Sequence, residues 1–197
     1  IYVLFIFLEQ ASFGNKLNAL LNGSKHQDTV GEIIDTISEK IKTYVAIKTF
    51  VSMLTGGACY VVLLLNDVDY ASFWAFIIFL LNFIPTVGSM LAVLFPALLS
   101  LVQFPTFPPF LIIITSLGFI QLLIGNILEP KLMGNSLNLS PLVVMLSLAI
   151  WGSIWGVAGM FLSVPFTVIL MIIFSEFPKT RSIAIILSQN GKIDSEN

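Results

Sequence analysis

The sequence predicts an all-α, polytopic integral membrane protein carrying two interrupted, hairpin-like helical segments of opposite orientation. Three observations lead there. Hydrophobic residues fill 57% of 197 positions and charged residues only 10%, whereas a soluble domain carries about a quarter charged; the mean hydropathy is +0.98. Residues 45–65 and 110–128 are apolar over the length of one bilayer crossing. Residues 71–104 and 142–174 are apolar for longer than one comfortable crossing, and each is broken near its middle.

The composition also narrows function. The net charge is −2 and the nine Lys and Arg residues are scattered, so no basic stripe exists to displace counterions from a nucleic acid. Cys59 is the single cysteine; it forms no disulfide framework and no Cys-based metal site, and reads as a small buried hydrophobe. His26 is the single histidine and lies in a polar stretch, which leaves no zinc-protease motif and no Ser–His pair to assemble in the membrane. A phosphate-binding Gly-rich loop ending in Lys-Ser or Lys-Thr is also missing. The expectation is a non-enzyme with no cofactor and no metal.

Along the chain, residues 1–8 are uninterruptedly apolar, too short to span, and have no basic region before them; they read as the end of a truncated transmembrane helix. Residues 9–44 form a polar segment. Within it Val30, Ile33, Ile34, Ile37 and Ile41 recur at helical spacing after a capping-box pattern at Thr29 and Glu32, predicting an amphipathic helix with a solvated charged face. A transmembrane transport domain is expected over 45–177 and a cytoplasmic tail over 178–197. In the first span, Ser52, Gly56 and Gly57 make a small-residue face suited to close helix packing.

The first interruption is Asn82-Phe83-Ile84-Pro85-Thr86-Val87-Gly88: Pro85 removes a helical donor and Gly88 permits a turn. The second lies at Trp151-Gly152-Ser153-Ile154-Trp155-Gly156, with Gly159 beyond. Non-helical backbone at membrane depth must be covered by protein or line a water-filled cavity. An offset of 70 residues pairs Ile84, Val87 and Met90 with Ile154, Val157 and Met160, a faint internal repeat.

Charge sets an orientation, since Lys and Arg near helix ends favour the cytoplasm. With the lysines from Lys16 to Lys48 inside, two hairpins and two single crossings also bring Lys131, Lys179 and Arg181 inside. The two hairpins then enter from opposite faces, the inverted arrangement common in secondary transporters. The C-terminus falls in the cytoplasm.

Gln121, Gly125 and Glu129 stack at four-residue intervals in the second span, with Asn126 near the same face. An ionisable residue at membrane depth marks a pathway or pairs locally. Glu129 has both readings, the local one being a helix-end residue before Pro130 paired with Lys131. Gln121 and Asn126 read as interhelical hydrogen-bonding residues or as ligand contacts.

Three stretches together, Asn82 to Gly88, Asn126-Ile127-Leu128-Glu129-Pro130-Lys131-Leu132-Met133-Gly134, and Gly156-Val157-Ala158-Gly159-Met160 followed by Val164-Pro165, resemble the signature segments of the autoinducer-2 exporter family of bacterial permeases. The resemblance extends over nearly the whole chain, including Ser140-Pro141-Leu142-Val143-Val144; Trp151 and Trp155 are bulkier than the family pattern at the second break. It implies a multi-pass inner-membrane transporter of a small molecule or ion, some members being associated with autoinducer-2 export and others with sodium–proton antiport. By position it implies a polar pair in Glu129 and Asn126, a first break at Pro85 and Gly88, and a second at Gly156 and Gly159. Asn82 and Gln121 are the added candidates for the substrate or ion pathway. The expected partners are the lipid bilayer and the cargo, with room for a homo-oligomer; the competing reading is a non-transporting membrane scaffold or assembly subunit.

Overall fold

The computed structural model describes residues 27–134 and 137–191. The expected helix tail over 1–8, the polar stretch 9–26 with Lys16, Lys25 and His26, the side chain of Thr29 and the tail beyond 191 lie outside the described residues. Every regular element among the described residues is helical: α1 (Gln27–Leu65), α2 (Ala71–Leu81), α3 (Val87–Gln103), α4 (Pro108–Leu123), a π-helical turn (Ile124–Leu128), α5 (Glu129–Met133), α6 (Pro141–Glu176) and α7 (Arg181–Leu187). The stretches Val30–Leu65, Pro108–Met133 and Pro141–Glu176 are long and apolar enough to cross a membrane, and α2 and α3 are shorter apolar helices. The all-α polytopic expectation holds.

The chain divides into two compact units, Ile1–Glu39 and Lys40–Asn197. In the described part of the first, Ile33 and Ile37 are half-buried while Glu32, Asp35 and Glu39 are exposed, and the Thr36 hydroxyl donates to the Glu32 carbonyl at 2.8 Å. The amphipathic helix and the first span prove to be one element, already helical at Gln27. The reason is local: residues 39–45 contain neither Gly nor Pro, so nothing interrupts the backbone ladder between the polar and apolar halves.

In the second unit, Cys59, Leu63, Ala71, Ile78, Ala92, Ala97, Ile113 and Leu117 form the buried core of α1 to α4. Gly56 is where α1 and α2 meet: a Cβ there would lie 3.0 Å from the Ala75 carbonyl oxygen and 3.2 Å from Phe79 Cβ. Gly57, on the neighbouring face, meets nothing within 4 Å, so only part of the small-residue face is a packing surface. Many large apolar side chains point outward, Met53 at 63%, Leu65 at 76% and Val102 at 86% exposure. In water so much apolar surface would drive aggregation; against lipid it is solvated.

Both long apolar stretches are broken where Gly and Pro predicted. Between α2 and α3 the chain makes a γ-turn at Thr86 (φ 59°, ψ −59°), closed by the Val87 N–H on the Pro85 carbonyl at 2.6 Å. Trp74 and Phe95 then lie 6.4 Å apart across the two helices. The Gln103 side chain at the end of α3 accepts from the Asp69 N–H at 2.8 Å and donates to the Asp67 carbonyl at 2.6 Å, so α3 ends beside the loop that begins α2. In α6 the break is Gly156 (φ 62°, ψ −138°), a conformation that side chains rarely adopt. Trp151 and Phe166 rings sit 4.9 Å apart, where an unbroken helix would separate them by roughly 22 Å. The chain therefore turns back on itself there as well. The Ser140 N–H on the Leu187 carbonyl, at 3.0 Å, draws the start of α6 next to the end of α7.

A glycine follows each turn for the same physical reason. A Cβ on Gly88 would fall 1.8 Å from the Leu81 carbonyl oxygen, and one on Gly159 would fall 1.9 Å from that of Trp151. In both places the returning helix comes so close to a backbone carbonyl of the helix before the break that no side chain fits between them. The faint repeat in the sequence thus coincides with a repeated backbone solution.

Candidate functional site

The residues that bring α1, the first break and α4 together enclose a cavity of about 670 Å³. Each wall has its own origin. From α1 comes Lys48; Ser52 and Thr55, four and seven residues further on, are outside the lining, and all three are no more than 5% exposed, a buried polar stripe in an otherwise apolar helix. Thr55 satisfies its hydroxyl on the Val51 carbonyl at 2.8 Å. Ser52 accepts from Asn82 Nδ2 at 3.0 Å, which fixes the Asn82 amide at the cavity wall.

The γ-turn supplies Pro85 and Thr86. A β-branched residue at φ 59° is strained, by on the order of 1–3 kcal/mol. The Thr86 hydroxyl reaches Met145 Sδ of α6 at 3.4 Å, and Phe83 stacks on Phe161 with centroids 4.7 Å apart. The first break is therefore packed on the second helical pair through side chains of α6.

From the third side come Gln121, Gly125, Asn126 and Glu129. The helix does not end at Glu129, as Pro130 led us to expect, but continues to Met133. It does so through the π-helical turn, in which the Glu129 N–H bonds to the Ile124 carbonyl, five residues back. The wider turn makes room for the Pro130 ring, which in an α-helix would clash with the carbonyl four residues earlier. Glu129 consequently faces inward, where Lys48 Nζ donates to its Oε1. The two side chains are 6% and 18% exposed. Its partner is Lys48 of α1, and the local pairing with Lys131 is not the arrangement observed: Lys131 is exposed.

Gln121 lies two turns deeper, 9% exposed, and its Nε2 is buried without a hydrogen-bond partner. An orphaned buried donor costs about 1–3 kcal/mol, so this amide is a costly group to keep beside the cavity.

Of the residues singled out from sequence, Asn82, Pro85, Gln121, Asn126 and Glu129 share this cavity wall. Gly88 stands behind it as the close-packing residue of the turn, while Gly156 and Gly159 shape the second break and are not in the wall. Lys48 and Thr86 were missed. Lys48 served only as an orientation charge, although its spacing from Ser52 and Thr55 marked a buried polar stripe; the Thr86 strain left no trace in the sequence.

The profile of the AI-2E family transporters matches residues 1–179. This chain belongs to the AI-2E transporter family. It is 37% identical over 191 residues to the AI-2 transport protein TqsA of Escherichia coli, covering 96% of the chain and 54% of that protein. A protein of Borreliella burgdorferi, provisionally named for transport, is 41% identical over 155 residues, 78% of the chain and 43% of that protein. A provisionally named transport protein of Haemophilus influenzae is 36% identical over 186 residues, 94% of the chain and 53% of that protein. The chain spans about half the length of the curated relatives it matches. Family and apolar helices together make it a multi-pass membrane protein of a transporter family, in contact with lipid.

Proposed function

We propose that the AI-2E chain is the part of a secondary transporter that holds the cargo path, and that a small solute or cation passes through the cavity by alternating access. The observation that carries this reading is the convergence of polar side chains from three separated segments, Lys48, Asn82 and the Gln121 to Glu129 face, on one cavity in an otherwise apolar protein. Buried polar groups at membrane depth are costly and are kept where ions or substrates move. Glu129 carries the coupling charge, a proton or cation; Asn82, Gln121 and Asn126 supply hydrogen bonds to the cargo; Pro85, Gly88, Gly156 and Gly159 allow the irregular backbone that alternating access needs. The Escherichia coli relative is named for AI-2 transport, and a small polar solute of that kind is the natural first cargo to assay.

On the same reading, residues 45–177 form the transport domain in the inner membrane, the two broken segments enter it from opposite faces, and residues 178–197 lie in the cytoplasm, the side favoured by Lys131, Lys179 and Arg181. The test is flux in proteoliposomes carrying the full-length protein under an imposed pH or sodium gradient. Gradient-dependent flux that disappears in Glu129→Gln, with insertion unchanged, supports the reading. No flux with either protein would favour a membrane scaffold, and normal coupled flux in the variant would remove Glu129 from the path.

A further inference from the structure

Lys48 has no task in the transport scheme as it stands, yet it occupies the carboxylate on which that scheme depends. Its ammonium is seated on Glu129, and among the described residues Lys48 and Glu129 are the only charged ones in the cavity wall. A carboxylate filled by a covalently tethered cation is closed to a free one, because two positive charges crowding one carboxylate in a low-dielectric site repel strongly. We propose that Lys48 is a tethered competitor of the transported cation: it holds Glu129 while the cavity is unloaded, and a monovalent cation gains the carboxylate only by displacing it. The proposal rests on the transport reading of Glu129.

Three features suit Lys48 to this part. Lysine carries a compact charge on a flexible four-carbon stem with freely turning donors, so it can leave and return without moving the helix. Acceptors lie one turn further along the same face of α1, where the Ser52 hydroxyl is bonded to Asn82 at 3.0 Å; a displaced ammonium has somewhere to go. The π-helical turn Ile124–Leu128 swings Glu129 by about a quarter of a turn relative to an unbroken α-helix, and it is this swing that aims the carboxylate at Lys48. Tyr44, one turn before Lys48, is also buried on that face and brings no competing charge.

The test uses the full-length protein, with sodium and rubidium ions as probes of binding in detergent and uptake in proteoliposomes. Lys48→Gln should bind one or both ions with an apparent affinity at least about tenfold above wild type, since the competitor is gone. Lys48→Arg should stay near wild type, and Lys48→Gln/Glu129→Gln should bind neither ion. Equal or weaker binding in Lys48→Gln, or full binding in the double variant, overturns the proposal. Should Lys48→Gln not fold, the wild-type protein still decides: reactivity of Lys48 toward an amine reagent, read by mass spectrometry, should rise with ion concentration, and an unchanged rate overturns it. Failure of the underlying transport reading looks different, because coupled flux would then survive in Glu129→Gln with Lys48 intact.

Discussion

At the scale of single residues, the cavity is governed by one ion pair and one unpaired amide. Lys48 and Glu129 side chains are 6% and 18% exposed, so removing one partner strands the other in a poorly solvated place. Lys48→Met should lower unfolding stability by about 3–5 kcal/mol, and adding Glu129→Gln should restore much of the loss; a double-mutant cycle in detergent measures both. Gln121 behaves in the opposite sense. Its buried, unpartnered Nε2 makes Gln121→Leu neutral to stabilising by about 1–3 kcal/mol, while cargo flux falls. A Gln121→Leu protein that loses stability would show that the amide is satisfied within the fold.

At the scale of elements, the two breaks are held by glycines whose missing Cβ is the point. Gly88→Ala would thrust a methyl group to 1.8 Å from the Leu81 carbonyl oxygen, and Gly159→Ala to 1.9 Å from that of Trp151. Backbone must move in both cases, and each substitution should cost more than about 3 kcal/mol. Gly57→Ala, which meets nothing within 4 Å, should change stability by less than about 1 kcal/mol. Thermal unfolding of the three variants in one detergent separates close packing from mere glycine content. The elements were largely legible in the sequence: apolar length marked the spans, and Pro85, Gly88, Gly156 and Gly159 marked the breaks, because lipid tolerates irregular backbone only under such constraints. The π-helical turn was not legible. Pro130 signals a helix end as readily as a bulge, and nothing in the local sequence decides between them. For the same reason the site was read half-complete. Polar residues on one apolar helix stand out, but which of them meet depends on the crossing of α1 and α4, and no local pattern encodes that.

At the scale of the whole molecule, the arrangement joins an apolar exterior, a core shared by α1 to α4 and a polar cavity beside a strained turn. The second helical pair leans on that turn through Phe83 with Phe161 and Thr86 with Met145. On the proposed reading, these contacts would carry a movement of either pair to the cavity wall, as alternation between two openings requires. Cys59, the one cysteine of this chain, is buried, so with any cysteine elsewhere in the full-length protein replaced, a single introduced cysteine can report accessibility. The most direct test is labelling of Asn126→Cys, in the full-length protein in sealed vesicles, by a membrane-impermeant thiol reagent applied from each side in turn. Labelling from both sides, with the balance shifted by an imposed pH or sodium gradient, is the predicted result; labelling confined to one side whatever the gradient would contradict an alternating path through this cavity.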